Sequence, residues 1–208
     1  MGFFSSSSVV NITIGNNVRF ANNSMYNAFN GCYKLKNVTG IPDSVENMAY
    51  AFANCNSLTS AITLPKNVTN LYNAFSRCAN FTAYITVPSN VTNMAYMFYN
   101  CVNRTYLVDV PKNVTSLAYL FHRCNNVGGN MNIYSPNITN VYYMFWGHGY
   151  GAKRINIWVP ANSVTNNTFY NNGYLNTVQE SSYNIKWSLS TTYYYNSSRN
   201  IYVYFNRF

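Results

Sequence analysis

Val45-Glu46-Asn47-Met48-Ala49-Tyr50-Ala51-Phe52-Ala53-Asn54-Cys55-Asn56-Ser57-Leu58 runs on through Ala61-Ile62-Thr63-Leu64 to Pro65, and the chain repeats this stretch. Val68, Leu71, Ala74, Phe75, Cys78, Phe81, Ile85, Val87 and Pro88 stand in the same slots 23 residues later. Val91, Met94, Met97, Phe98, Cys101, Val108, Val110 and Pro111 make a further copy. Working outward, Phe29 and Cys32 belong to an earlier copy, and Val114, Leu117, Leu120, Phe121 and Cys124 to a later one. That later copy stretches by two residues around Gly128-Gly129 before Ile133 and Pro136. Ile138, Val141, Met144 and Phe145 follow, with His148 in the cysteine slot, and a partial copy has Val164, Phe169 and Asn172. All six prolines (Pro42, Pro65, Pro88, Pro111, Pro136, Pro160) close a repeat. A fixed period of this length marks a solenoid, in which each unit buries its apolar face only against its neighbours.

Local chemistry agrees with the period. Ile62-Thr63-Leu64 and Ile85-Thr86-Val87 alternate as a short strand with one buried face does. Proline then removes a ladder donor and ends the strand. The following Asn67, Asn90 and Asn113 suit a turn that needs unusual backbone geometry. Val, Met or Leu and the Ala-Phe pair point inward as the chain returns, so Phe and Cys should form columns through the stack. The structural columns expected are Phe29, Phe52, Phe75, Phe98, Phe121, Phe145 and Phe169, beside Cys32, Cys55, Cys78, Cys101, Cys124 and His148.

These residues resemble the 23-residue leucine-rich repeat of the BspA-like type, roughly I-x-I-P-x-x-V-x-x-I-x-x-x-A-F-x-x-C-x-x-L, over about residues 22 to 172. Many leucine slots hold Val, Met or Tyr instead. The resemblance implies a curved solenoid with a binding role, of the kind found on bacterial surface adhesins, protist surface proteins and phage structural proteins. The fold expected is a β-rich, right-handed stack of about six to seven repeats of 23–25 residues, with a parallel sheet on one side.

Terminal segments of solenoids differ from the middle. Residues 1–21, with Val9-Val10-Asn11-Ile12-Thr13-Ile14, read as an N-terminal cap strand ahead of the solenoid at 22–172. Residues 173–208 abandon the repeat. Ile185–Leu189 and Ile201–Phe205 alternate like two strands around Asn196-Ser197-Ser198, giving a C-terminal β-hairpin cap. The alternative is a Tyr-rich tail, including Tyr193-Tyr194-Tyr195, that docks on a second copy.

Only 8% of residues are charged, against about 25% in a typical soluble domain. Solubility must come instead from amides and hydroxyls, since the chain has 37 Asn and 21 Tyr. That balance is unlike a cytosolic enzyme and closer to a virion part or a surface adhesin. The net charge of +9 favours anionic partners such as acidic glycans. Nucleic acid is disfavoured as a partner: Lys66, Arg77, Lys112 and Arg123 are spread along the solenoid, and no nucleic-acid motif is present.

The five cysteines read as small buried hydrophobes in a reduced column. Disulfides are disfavoured because the number is odd and equivalent slots point the same way. Zinc is disfavoured because there is no paired C-x-x-C, so no metal or other cofactor is expected. The acids are only Asp43, Glu46, Asp109 and Glu180, and neither His122 nor His148 has one nearby in sequence, so the chain reads as a non-enzyme. Gly147–Arg154 lacks phosphate-loop spacing and reads as an expanded loop.

Binding residues are sought two and four places before each proline, where side chains should face out from the sheet. Early copies are bland (Val38, Gly40, Ala61, Thr63), whereas Tyr84, Leu107, Asp109, Tyr134 and Trp158 form an aromatic and polar strip. Aromatic faces beside amides suit sugar rings or protein hot spots; the alternative is a merely solvated sheet face. A second stripe, Tyr50, Tyr96, Tyr119 and Tyr143, covers the core edge or mediates subunit packing. No basic n-region, long apolar core or spanning segment is read, which argues against a standard signal peptide and membrane insertion. The sequence therefore points to a recognition or adhesion module on a virion or cell surface. Its expected partner is a host-surface glycan or protein, or other virion subunits.

Overall fold

The computed structural model describes residues 8–15 and 17–145, together with the strands Lys153–Val159, Thr192–Asn196 and Ile201–Arg207. His148, Phe169, the segment 147–152 and the Ile185–Leu189 strand expectation lie outside the described residues.

β1 (Asn11–Thr13) pairs in parallel with β2 (Asn37–Thr39), Asn11 opposite Asn37 and Thr13 opposite Thr39. Ile14 N–H extends this pairing by donating to Thr39 O at 2.8 Å. Gly40 follows at φ +76, where a Cβ would overlap the Ile14 carbonyl oxygen. A residue without a side chain is required at this junction.

From there the repeats stack in register, a solenoid-like arrangement. Parallel bridges run Ser24 to Asn47, Asn47 to Asn70, Asn70 to Asn93, Asn93 to Ser116 and Ser116 to Asn140. The Asn side chains shape this corner. Asn47, Asn70, Asn93 and Asn140 each accept at Oδ1 from the backbone N–H two residues on, at 3.0 Å. Such Asx turns compete with helix and favour a sharp bend.

The return segment is a chain of turns instead of a helix, because left-handed residues recur within it. Tyr50 and Asn54, Asn73 and Arg77, Tyr96 and Asn100, and Tyr119 and Arg123 have φ between 54° and 61°. Local bonds such as Ala51 N–H to Met48 O at 3.0 Å close each turn. Alternate N–H groups are thereby aimed at the next repeat. Tyr50 N–H donates to Tyr72 O (2.9 Å), Phe52 N–H to Ala74 O (2.9 Å) and Asn54 N–H to Ser76 O (2.8 Å).

Inside, Phe29, Phe52, Phe75, Phe98, Phe121 and Phe145 form one column, with successive ring centroids 5.4–5.8 Å apart and planes within 17°. All five cysteines are buried, and none is in a disulfide. The thiols of Cys55, Cys78, Cys101 and Cys124 donate to the carbonyls of Phe29, Phe52, Phe75 and Phe98 at 2.9–3.1 Å. Burial pushes the Cys78 and Cys124 thiols well up and that of Cys101 to about 12, so they stay protonated.

Three expectations need correction. First, the parallel sheet before the prolines is narrower than the alternation implied. Residues 61–64 and 84–87 form no strand, and repeat-to-repeat pairing concentrates at the Asn47 corner, where the Asx turn aligns N–H and C=O groups. Second, Val38 is buried, because the backbone turns left-handed at Gly40 and shifts the alternation by one. Third, Asn67, Asn90 and Asn113 do not carry the unusual backbone geometry. Asn90 and Asn113 instead donate from Nδ2 to Lys66 O (3.1 Å) and Ser89 O (3.3 Å) in the preceding repeat.

A second sheet has the order β3 (Gly129–Asn132), β4 (Lys153–Val159), β6 (Ile201–Arg207), β5 (Thr192–Asn196). β3–β4 and β4–β6 are parallel and β5–β6 antiparallel. The strand pairing with Ile201–Arg207 is thus Thr192–Asn196, closer to the turn than Ile185–Leu189. No helix among the described residues is long and apolar enough to cross a membrane.

Candidate functional site

Tyr84, Asp109 and Tyr134 line one shallow groove of about 450 Å³, together with Thr86, Ser89 and Lys112. Tyr84 and Tyr134 are half exposed, at 55% and 49%. Asp109 is held in place: its Oδ1 accepts from Asn132 N–H at 2.8 Å and Asn132 Nδ2 at 3.0 Å.

Leu107 does not join them. It is only 5% exposed, and the neighbouring Val108 is buried as well. Two consecutive inward side chains signal a bulge, in which one strand carries an extra residue. Tyr106 bridges to Gly128 and Val110 to Ile133, so four steps on one side face five on the other. The slip is local: Cys101 to Val110 and Cys124 to Ile133 are nine steps each, and the longer spacing to Pro136 is taken up after Ile133. Tyr106 takes the outward position that Leu107 was expected to hold. It is 54% exposed, with its ring edge-on to Tyr84 at 6.2 Å. Trp158 lies in β4, its backbone opposite Asn132 and Asn206, and its side chain is outside the described residues.

Lys112 and Tyr106 were missed by the reading before proline, since neither sits two or four places before one. The bulge behind Tyr106 has no signal in the spacing, since Cys101 to Val110 and Cys124 to Ile133 are nine steps each.

The return side carries a second aromatic surface. Tyr26, Tyr50, Tyr72, Tyr96 and Tyr119 follow one another with centroids 4.4–5.9 Å apart. The first three pairs meet edge to face, whereas Tyr96 and Tyr119 stack within 10°. Tyr99 joins by stacking on His122 at 4.8 Å. Tyr50, Tyr96, Tyr119 and Tyr143 all have φ between 51° and 59°. An L-residue with a bulky side chain is disfavoured there by about 1–2 kcal/mol. Burial chiefly, with the neighbouring tyrosines, raises the Tyr119 hydroxyl to about 12. Burial also lowers His122 to about 4, with Arg123 adding to it, so the imidazole is neutral at pH 7.

One core position departs from the repeat. Arg104 occupies the slot of Leu58 and Phe81 and is wholly buried. Its guanidinium lies 3.7 Å over the centroid of Phe98, and Nη1 donates to Ala83 O at 3.2 Å. Nε and Nη2 have no hydrogen-bond partner.

Among the described residues no group of three or more His, Cys, Asp or Glu side chains converges as a metal site would require. What the geometry offers is an in-register repeat scaffold with two shallow aromatic, polar surfaces, the form of an interaction module. The chain belongs to the BspA type leucine-rich repeat family: the description "BspA type Leucine rich repeat region (6 copies)" matches residues 1–128. Residues 87–184 also match "Mycoplasma protein of unknown function, DUF285". No curated protein and no solved structure matches the chain. Repeats of the BspA type are generally non-enzymatic interaction modules and typically surface-associated.

Proposed function

We propose that the chain is a non-enzymatic recognition or adhesion module, carried on a virion as part of a tail, fibre or capsid decoration, that binds a host-surface glycan or protein. In this reading residues 22–172 form a right-handed leucine-rich-repeat stack, residues 1–21 cover its first repeat and residues 173–208 close its far end. The supporting observation is the groove in which Tyr84 and Tyr134 flank Asp109 and Lys112. Exposed rings beside a fixed carboxylate and a cation offer both stacking and directional polar contacts. Shallow, open geometry of this sort fits a polymer or protein surface better than a small substrate.

The test is adsorption of the fluorescently labelled protein to a panel of intact bacterial cells, beside the Tyr84→Ala/Tyr134→Ala/Trp158→Ala variant. Selective binding by the unaltered chain alone supports recognition through this face. A folded protein that binds no cell and associates with no particle removes the reading.

A second reading is a cellular surface protein, which draws on the Mycoplasma family description over residues 87–184 for a cellular source and on the BspA type repeats for the surface. Fractionation separates the two: the protein sediments either with virions or with the cell envelope. Under a purely structural role, in which the Tyr-rich tail locks subunits together, deleting residues 190–208 abolishes assembly.

A further inference from the structure

We propose that the tyrosine face on the return side is a binding site of its own, for an extended acidic polysaccharide carrying one negative charge per disaccharide. It lies on different residues from the Tyr84–Tyr134 groove and does not depend on that assignment.

The first argument is conformational. Residues two places before each core Phe are left-handed in every described repeat, and Asn27 and Asn73 fill that slot in two of them. Asparagine tolerates this backbone far better than tyrosine. The turn alone would therefore be satisfied by Asn throughout. At Tyr50, Tyr96, Tyr119 and Tyr143 the chain instead holds aromatic rings against the backbone preference, in a line along one surface. Such an outlier points to a role for the ring itself.

The second argument is the lining. Tyr50, Tyr72, Tyr96 and Tyr119 border an open groove of about 550 Å³ whose polar groups include Asn54, Asn73 and Arg77, with no carboxylate among them. Ring faces suit the apolar C–H faces of pyranoses, and amides suit their hydroxyls.

The third argument is spacing. The slot two places after the core Phe reads Gly31, Asn54, Arg77, Asn100, Arg123, so two guanidiniums stand two repeats apart, Arg77 among the residues that line the groove. Arg77 and Arg123 are both exposed. Two repeats at the interstrand spacing are about 10 Å, close to one disaccharide of an extended β-linked polymer. Arginine pairs bidentately with carboxylate or sulfate. A single-stranded nucleic acid would place a phosphate at each nucleotide and call for a cation at each repeat, which this column does not provide.

The experiment is calorimetric titration of the full chain with hyaluronan oligosaccharides, which carry one carboxylate per disaccharide. Neutral cello-oligosaccharides and oligo-dT of matched length are run alongside. The expected result is salt-sensitive binding of hyaluronan only. Arg77→Gln/Arg123→Gln weakens it by about tenfold or more. Tyr96→Asn/Tyr119→Asn abolishes it while the melting temperature is kept. Tyr84→Ala/Tyr134→Ala leaves it unchanged. Equal binding of the neutral oligosaccharide, stronger binding of oligo-dT, no hyaluronan binding, or full binding by the folded Tyr96→Asn/Tyr119→Asn variant each overturns the proposal. Cell adsorption through the Tyr84–Tyr134 groove is read separately, so either site can fail alone.

Discussion

The thiol of Cys78 donates to the carbonyl oxygen of Phe52 at 2.9 Å, across 26 residues of chain and one step of the stack. The same bond at Cys55, Cys101 and Cys124 explains why the slot holds cysteine and not an aliphatic residue of similar size. Cys78→Ala, which loses both the donor and the packed sulfur, is expected to lower stability by about 1–2 kcal/mol. Urea denaturation measures this as a shifted midpoint at constant slope. Cys78→Ser, which keeps a donor, should lose less. A thiol reagent should find no reactive cysteine in the native protein and five after unfolding.

Arg104 is the opposite case, a charge where the repeat calls for a hydrocarbon. Its stacking on Phe98 and single bond to Ala83 leave two guanidinium nitrogens unpaired in the core. Arg104→Leu restores the residue of Leu58 and should stabilise the fold by about 1–4 kcal/mol. Thermal melting of the two proteins decides it. A lower melting temperature for the variant would mean that the cation–ring contact outweighs the burial of charge.

At Gly40 the backbone is left-handed and the Ile14 carbonyl oxygen occupies the place of a Cβ. Gly40→Ala is expected to be destabilising by at least about 1–2 kcal/mol. Because β1 attaches through this junction, the Ile14 amide should exchange faster with solvent than the amides of the Phe column.

Alkaline pH should unfold the protein early. Burial raises the thiols of Cys78, Cys101 and Cys124 above 9.0, that of Cys101 to about 12. Their contribution is complete below pH 9 and is lost as pH rises toward 12. Arg104 works the other way: burial lowers it to about 10, so its penalty is full at neutral pH and eases above pH 10. Three thiols oppose one guanidinium, and melting temperature should fall from pH 9 upward, more steeply in Arg104→Leu. On the acid side His122, lowered to about 4, stabilises above pH 6.5 and ceases to do so as pH drops through 4.

The Phe and Cys columns were legible because burial selects residue type and the period repeats the selection. Backbone conformation was less legible. Tyr96 and Tyr119 are poor candidates for left-handed turns by propensity, and only the stacked context reveals that they occupy them. Of the strip, Tyr84, Asp109 and Tyr134 do meet in one groove, whereas Leu107 turns inward where the pairing slips by one residue between the Tyr106–Gly128 and Val110–Ile133 bridges. Such a local shift between neighbouring repeats has no signature in residue type. Arg104 had one, since counting 23 from Phe81 reaches it directly.

The backbone bonds from Tyr50 to Tyr72 and from Phe52 to Ala74 join each repeat to the next through the same atoms. Length along the stack is thus a quantity that gene duplication can alter in whole units. Removing residues 68–90 as a block would bring Pro88's successors onto the place of Pro65's and keep every column aligned, whereas excising one residue fewer would rotate all later side chains out of phase. The reach of a surface built on such a chain can be shortened or extended without redesigning its interior.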